Sequence, residues 1–103
     1  MNSNFIGLYK STADWEYIVI KVNLDTKRAR SVAVFVDPVK MIEYNLNYYI
    51  KNYVRLIDFN KKFNLNKQHY NYIKFMKPIY TCDTIQEMEQ YIFSNWPELI
   101  MEG

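Results

Sequence analysis

The feature that most constrains this chain is a pair of alternating apolar runs joined by turn chemistry. Along Trp15–Leu24, the side chains of Ile18, Ile20, Val22 and Leu24 point one way. Trp15, Tyr17, Val19 and Lys21 point the other. Residues 30–36 resume the alternation, with Val32, Val34 and Val36 opposite Ala33 and Phe35. Between the runs, Asp25 and Thr26 can hydrogen-bond the local backbone, so the two segments read as an antiparallel hairpin. Residues 4–10 (NFIGLYK) form a third run of strand length, and Gly7 within it predicts an edge or a bend. The expected fold class is therefore α+β, opening with a three-stranded antiparallel N-terminal sheet over about 4–10, 15–24 and 30–36. A sheet with one wet face alternates more cleanly than this hairpin does. The face bearing Trp15, Tyr17, Val19 and Phe35 is thus expected to be half exposed or covered by the C-terminal part.

Asp37 and Pro38 follow the hairpin as an N-cap and a first helical residue, and they predict a long helix over about 38–61. At about 100° per residue, Val39, Ile42, Leu46, Tyr49, Ile50, Tyr53, Val54, Leu56 and Ile57 form one core arc. A second flank carries Met41, Tyr44, Tyr48, Lys51, Arg55, Phe59 and Lys62 at spacings of three and four. Over 66–76 the helical pattern is favoured over a strand, because Lys67, Asn71, Lys74 and Lys77 then share one side. Asn64 or Asn66 would cap that helix and Pro78 would close it. Residues 79–82 can add a strand at the sheet edge. Thr84 to Glu87 fits a capping box, opening a final helix over about 84–96 whose inner line is Ile85, Met88, Ile92 and Trp96. The helices are expected to pack largely on one face of the sheet, in a single domain spanning 1–103.

The chemistry available to such a chain is limited. With one histidine and one cysteine, a Cys/His nucleophile pair is possible only as His69 with Cys82, and nothing in their spacing brings them together. Cys82 reads more simply as a small buried hydrophobe. No CxxC, no histidine pair at helical spacing and no calcium-loop pattern is present. Phosphate cradles need glycines, and the chain has only Gly7 and Gly103. The expectation is a protein with no enzymatic activity, no cofactor and no metal. A lone cysteine excludes an internal disulfide and suits a reducing compartment. No signal peptide and no apolar run of membrane-spanning length is evident, which predicts a soluble cytoplasmic protein with no membrane partner.

Charge directs the functional expectation. Residues 38–82 carry eight Lys/Arg against Glu43 and Asp58, a net of +6, whereas residues 83–103 carry five acids and no base. This asymmetry fits internal neutralisation, a basic binding face, or a two-signed contact surface. The flank Met41, Tyr44, Tyr48, Lys51, Arg55, Phe59 and Lys62 is rich in residue types enriched at protein contacts, so it is the expected partner-binding surface. Burial of that flank between the sheet and the C-terminal helices is the competing outcome. The expected protein partner presents an acidic surface, and the expected role is that of a regulator or inhibitor, of a kind suited to a phage or mobile element by composition alone. The alternative is single-stranded DNA or RNA, with Lys61, Lys62, Lys67, Lys74 and Lys77 neutralising phosphates while tyrosines stack on unpaired bases. Against it, the sequence pI of 8.6 lies below the strongly basic range of such domains. A homodimer through one self-complementary patch is compatible with either role.

Overall fold

The computed structural model describes residues 3–44 and 64–100. It is an α+β fold whose strands are β1 (Asn4–Lys10), β2 (Glu16–Asn23), β3 (Arg28–Val36) and β4 (Tyr80–Cys82). They form one antiparallel sheet in the order β3-β2-β1-β4. The described helices are α1 (Pro38–Glu43), α2 (Lys67–Ile73) and α3 (Ile85–Asn95), followed by a 3-10 turn at Pro97–Ile100. All three expected strands are present, and the 79–82 run supplies the fourth. The rest of the helix expected over 38–61 lies outside the described residues. No helix among the described residues is long and apolar enough to cross a membrane.

The helices cover both faces of the sheet, not largely one as expected. On one face, Ile6, Leu8, Val19, Ala33 and Phe35 pack against Met88 and Ile92 of α3, with Cys82 and Leu99. On the other, Phe5, Tyr9, Ile20, Val22 and Ala29 pack against Ile73 of α2. Apolar side chains on both faces of the hairpin therefore find cover on both sides, which the imperfect alternation had foreshadowed. The α3 face is closed by an aromatic trio in which Tyr17, Phe35 and Trp96 have ring centroids 4.9–5.3 Å apart. Thr84 caps the start of α3 as expected, its Oγ1 accepting from the Glu87 amide at 3.2 Å, and Glu87 reaches back to the Thr84 hydroxyl, which donates to its carboxylate at 3.1 Å.

Three sequence expectations are corrected. Gly7 marks neither an edge nor a bend, because β1 is an inner strand. The Tyr9 ring lies over Gly7, and a Cβ there would sit 2.6 Å from Tyr9 Cε1. The alternation of β3 is interrupted by a register shift, with Val19 paired to Ala33 but Ile20 paired to Ser31. Val32 is the extra residue of this bulge, so it joins Ala33 and Phe35 in the α3-side cluster instead of opposing them. In α1 the expected faces are exchanged. Met41 is 3% exposed, whereas Val39 and Ile42, assigned to the core arc, are 59% and 79% exposed. The reason lies in how α1 is launched. Asp37 donates its amide to the Trp15 carbonyl while its side chain caps the Val39 and Lys40 amides. This junction turns Pro38 and Met41 inward, and a helix whose cap already falls at Tyr44 need not keep the phase set by the later apolar residues.

Candidate functional site

Two surfaces draw on the residues that the sequence singled out. The first is the junction of α1 with the β1–β2 loop. Tyr44 donates its hydroxyl to Asp14 Oδ2 at 2.6 Å and packs edge-on against Trp15. Lys10 bridges Asp14 at 2.8 Å, and Lys40 lies 3.6 Å from Asp14 and 3.4 Å from Glu43. The Lys10 ammonium, helped by the Tyr44 hydroxyl, holds the Asp14 carboxyl down at about 2. The same bond to Asp14 pushes the Tyr44 phenol upward. Of the expected partner-binding flank, Met41 is buried and Tyr44 is half exposed but engaged with Asp14. Tyr48, Lys51, Arg55, Phe59 and Lys62 lie outside the described residues, as does Lys61 of the alternative set.

The second surface is built around α2, and its position follows from one asparagine. The backbone of Asn66 exchanges two 2.8 Å hydrogen bonds with Ala29 at the outer edge of β3. Its side chain accepts from the His69 amide at 2.8 Å, which caps α2. His69 then accepts from the Ser31 amide through Nδ1 at 3.1 Å. The edge of β3 is thereby covered by the start of α2, and Ile73 is set into the core beside Tyr9 and Val22. His69 is thus a fastening residue. It stands on the α2 face of the sheet, whereas Cys82 lies on the α3 face. Cys82 is buried, its thiol is raised by that burial, and Sγ donates to the Thr84 carbonyl at 3.3 Å.

With α2 held there, its outer side faces the β2–β3 turn across a groove of about 460 Å³. Lys67, Asn71 and Lys74 stand along one line of the helix at spacings of four and three. Lys27 and Thr26 come from the turn, where Asn23 Oδ1 accepts from the Asp25 and Thr26 amides at 2.9 and 3.1 Å. Lys27 closes the loop with φ 55, a left-handed conformation that a lysine adopts at some cost. Phe75 lines the same groove and is 90% exposed, with Lys74 Nζ 5.1 Å from its ring centroid. No carboxylate, imidazole or thiol is among the described lining residues. On the opposite side of α2, a hollow of about 300 Å³ lies between Ile18, Ile20, Ser31, His69 and Tyr72.

The α2 groove therefore brings together two of the lysines expected to meet phosphates, Lys67 and Lys74. Lys77 is also exposed but lies beyond the helix, outside the described lining. Sequence reasoning missed Lys27 and Phe75. The turn was legible as a turn, but its lysine becomes relevant only through the Asn66–Ala29 pairing that brings α2 alongside. What this arrangement can do is attract an anion and offer it an aromatic face. Among the described residues, no group of three or more His, Cys, Asp or Glu side chains converges as a metal site. No protein-family model, curated protein or solved structure matches this chain.

Proposed function

We propose that this protein is a small non-enzymatic interaction module that acts by occupying the anionic surface of a macromolecular partner, with the α2 groove as its contact. The observation that carries this reading is the convergence of Lys27, Lys67 and Lys74 beside the exposed ring of Phe75, with no described acid in the lining. An acidic protein surface and a nucleic acid would both meet these same lysines, and occupancy alone suffices for a regulator or inhibitor. The cytoplasm is the proposed compartment, since a single buried thiol suits a reducing environment.

Retention on immobilised heparin tests the reading. Lys67→Gln with Lys74→Gln should elute at clearly lower salt than the wild type. Lys10→Gln with Lys21→Gln, which removes equal charge elsewhere, should elute later than the groove variant. Equal elution of the two variants would reduce the retention to net charge and would sink the groove as a contact.

A further inference from the structure

We infer that the α2 groove takes single-stranded nucleic acid rather than an acidic protein, a step that rests on the reading above. Three features of the groove discriminate. Its described cations are all lysines. Protein–protein contacts are enriched in arginine and depleted in lysine, because the guanidinium fork pairs a carboxylate in two parallel bonds. Lysine acts as a compact point charge with rotatable donors, which suits a phosphate chain contacted without regard to sequence. Next, Phe75 stands almost wholly in solvent, with Lys74 Nζ 5.1 Å from its ring centroid. Lys74 lies over one face of a ring that is otherwise exposed, and such a pair can be met by a nucleotide, phosphate to the ammonium and base to the ring. Finally, Asn71 and Thr26 add neutral hydrogen-bonding groups between the lysines, of the kind that position a sugar–phosphate backbone. The contact is a concave groove between a turn and a helix whose Ile73 side is buried in the core. A strand fits such a groove, whereas duplex readout inserts a projecting helix into the major groove.

The experiment titrates the full chain into labelled single-stranded oligothymidine and oligouridine of about 15 nucleotides, within the usual span of one binding groove. Parallel titrations use the matching duplex and a poly-glutamate chain. The wild type should bind the single strands more tightly than either control, with a log–log salt slope of about −2 for three lysine–phosphate contacts. Phe75→Ala should weaken single-strand binding on the order of tenfold without changing the salt slope. Because Phe75 is so exposed, this variant should fold normally, which circular dichroism checks. Lys67→Ala with Lys74→Ala should shrink the slope to about −0.7. Equal affinity for oligothymidine and poly-glutamate, or an unchanged affinity on Phe75→Ala, would overturn the single-strand inference and leave the anionic-partner reading standing. Tighter binding of the duplex would overturn it as well. No binding of any probe even at low salt would remove both.

Discussion

The α1 junction and the α2 groove are assembled from the same ingredients, yet one is closed on itself and the other is open. At α1, Lys10 and Lys40 share Asp14, Lys40 also reaches Glu43, and the Tyr44 hydroxyl completes the Asp14 cluster. At α2, Lys27, Lys67 and Lys74 share a groove whose described lining holds no acid, and whose rings are those of Tyr70 and the exposed Phe75. Lysine and aromatic content is thus common to both regions. They differ in where the acids stand, beside the lysines at α1 and absent from the described lining at α2. The two regions also differ in how they are fastened. α2 is held by backbone pairing at Asn66 and a buried Ile73, and α1 by the Asp37–Trp15 backbone bond and a buried Met41, to which it adds an exposed cluster of charges.

That comparison can be broken first from beneath α2. Gly7→Ala would place a methyl group 2.6 Å from the Tyr9 ring, which is itself 2% exposed and packed in the α2-side cluster. The ring must move, and overpacking of this kind costs about 1–3 kcal/mol. A fall in the unfolding free energy of that size, read from a lowered urea midpoint, is expected, together with loosened amide protection in α2. An unchanged midpoint would show that the α2-side core adapts freely and that its packing does not fasten α2. Asn66→Ala comes next. It removes the cap on the His69 amide while leaving the backbone pair with Ala29 in place, and should cost roughly 1 kcal/mol. Hydrogen exchange should quicken at the start of α2 and leave α1 unaffected.

The charge cluster on the α1 side should respond less, and to acid. Asp14 titrates at about 2 in the fold against an ordinary 3.8, so its contribution is complete above about pH 4 and is lost as pH falls through about 2. The stability difference between the wild type and Asp14→Asn should therefore be constant near neutrality and close over that acid window. The cluster is exposed, so the difference is expected to be small. A gap that persisted at pH 2 would mean that Asp14 acts there through something other than its charge. Tyr44→Phe, which keeps the ring against Trp15 and removes the bond, should narrow the gap from the wild-type side.

These contrasts show how far the residue pattern reached. Strands, the Thr84 cap and the 66–76 helix were legible because each is written in local periodicity or in a cap within four residues. The bulge at Val32 was not, since it is defined only against the register of β2. The inner face of α1 was misread because a helical phase drawn mainly from residues 46–57 was extended back over a turn whose orientation Asp37 and Trp15 decide. Gly7 reads alike whether it loosens an edge or admits a ring. Of the candidate groove, Lys67 and Lys74 were visible as one side of a helix. Lys27 was not, because only the long-range pairing of Ala29 with Asn66 brings the turn beside α2.

Lys27 offers the finest test, since it separates stability from contact at one position. Its φ of 55 is a conformation that glycine accepts freely and a side chain does not. Lys27→Ala keeps the strain and removes the charge, whereas Lys27→Gly removes both. Glycine also gains freedom in the unfolded chain, which opposes the relief. The glycine variant should therefore lie within about 1 kcal/mol of the wild type and above the alanine variant in melting temperature. Both should lose the same share of single-strand affinity, and the salt slope should fall by about 0.7 in each, as expected for one phosphate contact. If the glycine variant bound as well as the wild type, the turn would be a spectator and the groove would reduce to one side of α2. A lysine placed where glycine sits more easily gives a physical reason to expect the opposite: at this position the side chain, not the backbone, is what the turn supplies.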